Sequence, residues 1–266
     1  EYVYCEALGK SGKEPILVLR DLYKERYLGG TAAIARNLSS FCKQITLLTN
    51  IGQKNDEKKF IEKNLQKNIK TLFLNKKNSP TITKKRFIEH INKTKIFGVY
   101  SLNDQPLDND QESKLNKKIQ NLISSHDLVI VSDYGHGLIS DKTAKLIVKK
   151  SKFVAVNTQL NSSNLGFHVI SKYIGANFIT INEQEMRHEL RNKTENRMPL
   201  IKTLSKKLKS KYTHVTSGEM GSVIYHGTSK KIISCPAFAN KIIDKVGTGD
   251  TMLAILAISL FKKFDI

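Results

Sequence analysis

Hydrophobic positions along this chain fall into two kinds of pattern. The first is the nearly unbroken apolar run: ITLLTNIG (45–52), DLVIVSDYG (127–135), KFVAVN (152–157) and NFITIN (177–182). A run such as LVIV has no polar face, which suits a strand buried on both sides of a parallel sheet. Polar, helix-compatible segments follow these runs, as NDEKKFIEKNLQKN follows the first and SDKTAKLIVKK the second. The helical stretch MPLIKTLSKKLKS precedes a further run, YTHVTSG (212–218). Strand alternating with helix predicts a mostly parallel sheet covered by helices.

The second pattern is period-two alternation with no helix between the runs. It occurs in EPILVLRD (14–21), TITKKRFIEHI (81–91) and KIFGVYSLND (95–104). The last two read as a hairpin around Asn92–Lys93. Segments at about 13–27 and 81–104 are therefore expected to build a small antiparallel sheet, a lid of the kind that excludes water from a site. The alternative is that they are edge strands of the main sheet.

A length of 266 residues suits one α/β domain with such an appendage, and 39% hydrophobic with 26% charged residues is a globular composition. The net charge of +20 is the unusual feature. It fits either phosphate neutralisation on a nucleic acid or lysine-rich solvated faces. The lysines are scattered (KKNSPTITKKR, KLNKKIQ, IVKKSK, LSKKLKSK) rather than gathered in one block interleaved with aromatics. Solvated faces are therefore expected, with no nucleic-acid partner. A positive field would still draw in an anionic small substrate.

Cys5, Cys42 and Cys235 are odd in number and lie far apart, with no metal spacing, which points to a reducing cytoplasm. The longest apolar run, MLAILAISLF (252–261), is about half the length a bilayer requires, so no membrane partner is expected. No signal-peptide pattern opens the chain. It begins in what reads as a strand already under way and stops just after a helix, so a longer protein truncated at both ends is expected.

Six segments are candidates for chemistry. GKSGK (9–13) lacks the glycine a phosphate loop needs five residues before Gly-Lys, since Tyr4 stands there, and reads as a turn. LGGTAAIARNLSSF (28–41) opens a helix of small residues on two glycines whose exposed amides suit a ligand or a tight turn. VSDYGHG (131–137) places Asp133 at the end of a strand, where ligands gather in parallel sheets, although Asp133 equally suits a turn cap. His136 reads as an exposed loop histidine. In INEQE (181–185), Asn182 and Glu185 share one face of a helical turn and suit a hydrated Mg²⁺ with phosphate oxygens, or a helix cap. TSGEMGS (216–222) is a glycine turn between two strands.

The sixth is the most informative. Gly247, Thr248, Gly249 and Asp250 stand directly before TMLAILAISLF. Two glycines let amides converge at a helix start that carries partial positive charge. A dinucleotide fingerprint would lie early in the chain and need a third glycine. An anion pocket beside a carboxylate fits phosphoryl transfer instead, the carboxylate taking the proton of an attacking hydroxyl. Alternatively, Asp250 is an ordinary first-turn residue.

In order and spacing, LGGTAAIARN, INEQE, TSGEMGS and DKVGTGD resemble the motifs of the ribokinase-like (PfkB) carbohydrate kinases over essentially the whole chain. YVYCEALGKSGKEPILVL, LGGTAAIARN and VSDYGHG resemble in particular the kinase module of bifunctional heptose-phosphate kinase/nucleotidyltransferases. The resemblance implies a ribokinase-like α/β fold with a β lid and ATP-dependent phosphorylation of a sugar or sugar-phosphate hydroxyl. It implies Asp250 as base and Gly247, Thr248 and Gly249 as anion hole. Asn182 and Glu185 would hold the Mg²⁺–phosphate end, and Thr216, Gly218 and Gly221 would lie along the nucleotide. Gly29, Gly30 and Asn37 would face the sugar, with Asp133 close by. A homodimer through the lid would follow from family behaviour.

This sequence departs from that pattern at three places. Asn157 replaces the acid of the usual Asp-Pro-Lys-Gly strand end, and His136 replaces the lysine of Ser-Asp-Tyr-x-Lys-Gly. The family's first-strand aspartate would precede Glu1. A catalytically degenerate kinase fold serving binding or assembly is the alternative these changes raise.

Overall fold

The computed structural model describes every residue except 55, 162, 240–243, 245 and 265–266. The chain forms two compact units, one of Glu1–Gly29, Leu48–Asn64 and Phe73–Asn103, the other of Gly30–Leu47, Leu65–Leu72 and Asp104–Ile266.

A six-stranded sheet lies in the second unit. Its parallel part comprises β7 (Val129–Asp133), β8 (Val154–Thr158), β9 (Phe178–Asn182) and β10 (Tyr212–Thr216), in that spatial order. The antiparallel strands β11 (Ser222–His226) and β12 (Ile232–Cys235) extend it beyond β10. Three of the four unbroken apolar runs are the parallel strands β7, β8 and β9, and the burial of all five residues of β8 shows why such a run lacks a polar face.

Phe178 of β9 packs with Ile34 and Leu38 of α1 (Gly30–Leu38) and with Leu253, Ala254, Ala257 and Leu260 of α7 (Thr248–Phe261). Each large side chain in this cluster contributes about 1.5–3 kcal/mol by leaving water. Ile179 and Ile181 alternate with Phe178 and face the opposite side, so the sheet is covered twice. Around it run α3 (Asn109–Ile123), α4 (Asp141–Lys150), α5 (Glu183–Leu190) and α6 (Arg197–Leu208). Ser140 caps α4 by accepting from the Thr143 amide, and Asp108 caps α3 by accepting from that of Gln111.

A four-stranded sheet lies in the first unit: β1 (Tyr2–Lys10), β2 (Leu17–Glu25), β5 (Thr83–Glu89) and β6 (Lys95–Ser101), in the order β2-β1-β5-β6. The hairpin around Asn92–Lys93 is the antiparallel β5–β6 pair, turned by Lys93 at φ 57°. GKSGK lies in the β1–β2 turn, where the Ser11 amide donates to the Ile16 carbonyl. The opening strand EYVYCEAL belongs to this sheet, paired parallel with β5. The first apolar run, β3 (Ile45–Gly52), joins β4 (Ile69–Lys76) in a separate two-stranded sheet rather than the six-stranded one. The helix expected after KFVAVN is replaced by a loop and a short 3₁₀ turn at Ile170–Tyr173. Asn161 accepts from the Ser163 amide there, one of the local side-chain bonds by which asparagine diverts a backbone from helix.

One buried pair gives the sheet a pH signature. His214 of β10 lies opposite Thr180 of β9, its Nδ1 2.8 Å from the threonine Oγ1. Burial draws the His214 imidazole down to about 4 from its ordinary 6.5. The unfolded chain therefore takes up a proton between about pH 6.5 and 4 that the folded chain refuses. The neutral-His214 contribution is complete above pH 6.5 and is lost as pH falls through that window. Denaturant titrations across it should show His214→Gln removing about one proton from the pH slope of stability. An unchanged slope would contradict this assignment.

Candidate active site

The parallel strands β7 to β10 end at one edge of the sheet, and their last residues are Asp133, Thr158, Asn182 and Thr216. Ligands collect at such an edge because the strands stop there and loops take over. Tyr134, the residue after β7, donates its hydroxyl to Asp250 Oδ1 at 2.6 Å. That bond brings the start of α7 to the same edge.

Helix α7 begins on Gly247, whose φ of 85° is a left-handed conformation that glycine adopts without steric cost. Its first internal bond runs from the Thr251 amide to the Gly247 carbonyl, so the amides of Thr248, Gly249 and Asp250 precede the helical ladder. A Cβ placed on Gly247 or Gly249 would meet no atom of the described residues within 4 Å. The helix start thus offers converging amides, partial positive charge and room for an anion. Asp250 is buried in its first turn. Asp244, at the start of the same stretch, accepts from the Val246 amide, and Lys245 lies outside the described residues.

The glycine-led helix α1 meets this place from the other side. Gly30, at φ 54°, leaves 3.2 Å between where its Cβ would stand and the Tyr134 ring. Asn37 donates from Nδ2 to Thr251 Oγ1 at 3.1 Å, and that hydroxyl donates to the Gly247 carbonyl. Among the described residues no atom lies within 4 Å of where a Cβ on Gly29 would stand. Gly30, Asn37, Gly247 and Asp250, far apart in sequence, are thus connected through Tyr134 and Thr251.

Asp133 is buried, and its oxygens are taken by groups of the protein itself. Oδ2 accepts from Tyr173 at 2.6 Å and faces Lys172 Nζ at 2.6 Å, while Oδ1 accepts from the Gly135 amide at 3.0 Å. Burial pushes the carboxyl up, but the charges of Lys172 and His168 and the bonds from Lys172 and Tyr173 outweigh it, holding it below its ordinary range. Its reading as a substrate ligand rests on its place at the end of β7, and its bond from the Gly135 amide is that of a turn cap. His136 is buried rather than exposed: its Nδ1 lies 2.6 Å from Asp104 Oδ1. Asn157 is likewise buried and donates to the Thr180 carbonyl at 2.8 Å.

Asn182 and Glu185 form a reciprocal cap at the start of α5. Asn182 Oδ1 accepts from the Glu185 amide and Glu185 Oε2 from the Asn182 amide, each at 2.8 Å. The Leu160 amide donates to Oε1 of the same carboxylate at 3.1 Å. Burial raises the Glu185 carboxyl, and these two backbone bonds pull against it. Thr216 lies beside Asn182 in the β9–β10 register. The turn after it holds Gly218 at φ 57° and Gly221 at φ 73°, and a Cβ on Gly221 would stand 2.1 Å from the Cys235 carbonyl oxygen. Ser217 donates to Glu183 Oε2 at 2.7 Å, which fastens this turn to α5.

Among the described residues no cluster of three His, Cys, Asp or Glu side chains could hold a metal ion. No helix among them is long and apolar enough to cross a membrane. Tyr134 is the site residue that sequence reasoning missed. Its only signal was an aromatic residue between a strand-end aspartate and a glycine.

The pfkB family carbohydrate kinase model matches residues 6–265. Two curated relatives are "Bifunctional protein HldE" of Campylobacter jejuni (strain RM1221), 28% identical over 268 residues, and that of Helicobacter pylori (strain Shi470), 29% identical over 271. Each match covers 100% of this chain, which spans 55% of the first relative and 57% of the second. Escherichia coli phosphofructokinase-2 in complex with potassium superposes with a TM-score of 0.73 at 12% identity, over 99% of this chain and 84% of that one. Arabidopsis thaliana ribokinase complexed with ribose and ATP gives 0.64 at 18% identity, over 99% and 83%. At these identities the structural likeness establishes the ribokinase-like fold. The family match extends over nearly every residue: this chain belongs to the pfkB family of carbohydrate kinases.

Proposed function

We propose that this chain phosphorylates a hydroxyl of a heptose-phosphate-like sugar with ATP, using Asp250 as the base. The observation that carries this reading is a buried carboxylate in the first turn of a helix that opens on two glycines which no described residue crowds. The sugar oxygen forms a bond to the γ-phosphorus as the bond from that phosphorus to the bridging oxygen breaks. The electron pair leaves with ADP, and the hydroxyl proton passes to Asp250. The amides of Gly247, Thr248 and Gly249 face the negative charge spread over the transferring group.

Thr216, Gly218 and Gly221 would lie along the nucleotide, and Gly29, Gly30 and Asn37 would face the sugar. A protein cage for Mg²⁺ is lacking among the described residues, which fits an ion that travels on the triphosphate and keeps its waters. Asn182 and Glu185 would meet it through water, because the Glu185 oxygens already accept two backbone amides. Bound there, the ion would neutralise phosphate charge. Asp133 is assigned to hold the loop after β7 beside the sugar rather than to bind the sugar itself.

A homodimer through the four-stranded sheet belongs to the same reading. Phe97 and Val99, two residues apart on β6, are both exposed; sedimentation velocity reads the state directly, and a monomer at all concentrations would dismiss it.

The substrate is tested by ADP release on a panel of heptose monophosphates, hexose monophosphates and free sugars. The expected result is kcat/KM highest on a heptose monophosphate. Preference for a free hexose would overturn the substrate class and leave the kinase. Binding of ATP and sugar without turnover across the panel would favour the degenerate fold, for which the internally engaged His136 and Asn157 are the motive.

A further inference from the structure

We propose that Tyr134 is a positioning residue for the base: its hydroxyl fixes the rotamer of Asp250 and lowers the proton affinity of that carboxylate. The proposal rests on the reading of Asp250 as the base. The phenol donates to Asp250 Oδ1 at 2.6 Å across 116 residues of sequence, and Asp250 is buried. Bonds from a donor to an ionised acceptor are about twice as strong as neutral ones. Burial first, and then the adjacent Asp250 charge, pushes the Tyr134 phenol far above its ordinary value of 10. Tyr134 therefore keeps its proton throughout the working range and remains a donor.

The structure also holds Tyr134 still. Its carbonyl accepts from Asn161 Nδ2 and Asn164 Nδ2, each at 2.8 Å. Gly30 leaves only 3.2 Å for a Cβ against its ring. Gly135, at φ 69°, has Asn164 Nδ2 2.3 Å from where its Cβ would stand, so no side chain there could share the space with that amide. The loop that replaces the expected helix after β8 thus acts on the base through Tyr134. Other titratable groups stand near. The His136 ring lies nearly parallel to that of Tyr134 with centroids 6.4 Å apart, and its Nδ1 is 2.6 Å from Asp104. Asp133, the preceding residue, is paired with Lys172. A donor aimed at a catalytic carboxylate selects one of its rotamers, and misplacement of about 1 Å costs on the order of a hundredfold in rate.

The test is Tyr134→Phe, which keeps the ring and removes the donor. The Asp250 carboxyl is followed by ¹³C NMR titration without substrate, and kcat and KM are measured against pH. The expected result is an Asp250 titration raised by about one pH unit, the worth of one charged hydrogen bond. The acid limb of kcat/KM should rise by the same amount, with kcat down about tenfold and the KM for ATP within about twofold. An unmoved Asp250 titration, with Asp250→Asn inactive, overturns the role of Tyr134 and leaves the base. Retained turnover in Asp250→Asn overturns both.

Discussion

Asp250→Asn should fold as the wild type does and lose about 10²–10⁴-fold in kcat, the usual worth of a general base. The amide is isosteric, so the Tyr134 hydroxyl can still donate to its oxygen and the apolar cluster on α7 is untouched. What disappears is the capacity to take the hydroxyl proton. The KM for ATP should change little, since the proposed base would act on the sugar hydroxyl and not on the nucleotide. Steady-state kinetics beside a thermal melt separates the two effects. An unchanged Tm with full turnover would refute Asp250 as base, and a collapsed Tm would make it a structural residue.

Lys172→Met should destabilise the second unit by about 3 kcal/mol, the lower end of what breaking a buried ion pair costs. Lys172 lies 2.6 Å from Asp133 Oδ2 and also donates to the Ile139 carbonyl at 2.9 Å. Methionine keeps the apolar stem and leaves Asp133 buried without its principal counter-charge. A fall in Tm of roughly 6–12 °C corresponds to that cost for a chain of this size. The pH dependence carries a sign. With Lys172 present, the Asp133 carboxyl sits below its ordinary value, so its contribution is present above about pH 3.8 and is lost as pH falls further. Without the lysine, burial dominates and the carboxyl rises, so acid unfolding should begin at higher pH. The double variant Asp133→Asn with Lys172→Met should regain part of the loss, because no unpaired charge remains. A single variant as stable as the wild type would show that Tyr173 and the Gly135 amide suffice.

Strand β8 was legible because burial on both faces leaves the unbroken apolar run VAV. The cap at Asn182 and Glu185 was legible because its geometry follows from residues three apart. Sheet membership was not legible for EYVYCEAL, because its parallel partner β5 lies more than eighty residues away and no local pattern encodes that register. His136 looked exposed because glycines flank it, yet Asp104, 32 residues earlier, buries it. Tyr134 was hidden for the same reason. A tyrosine in a glycine loop reads as local, and its hydroxyl bonds to a carboxylate 116 residues on. The glycines at 247 and 249 could be read as an anion site because helix starts follow local rules. The room in front of them depends on the fold.

The most direct test of the central claim is transfer of label from γ-³²P-ATP, with a heptose monophosphate as acceptor, by the chain and by Asp250→Asn in parallel. Label on the sugar for the wild type, with at least a hundredfold less for the variant, is the predicted result. Label released only as inorganic phosphate, or equal transfer by both proteins, would contradict it.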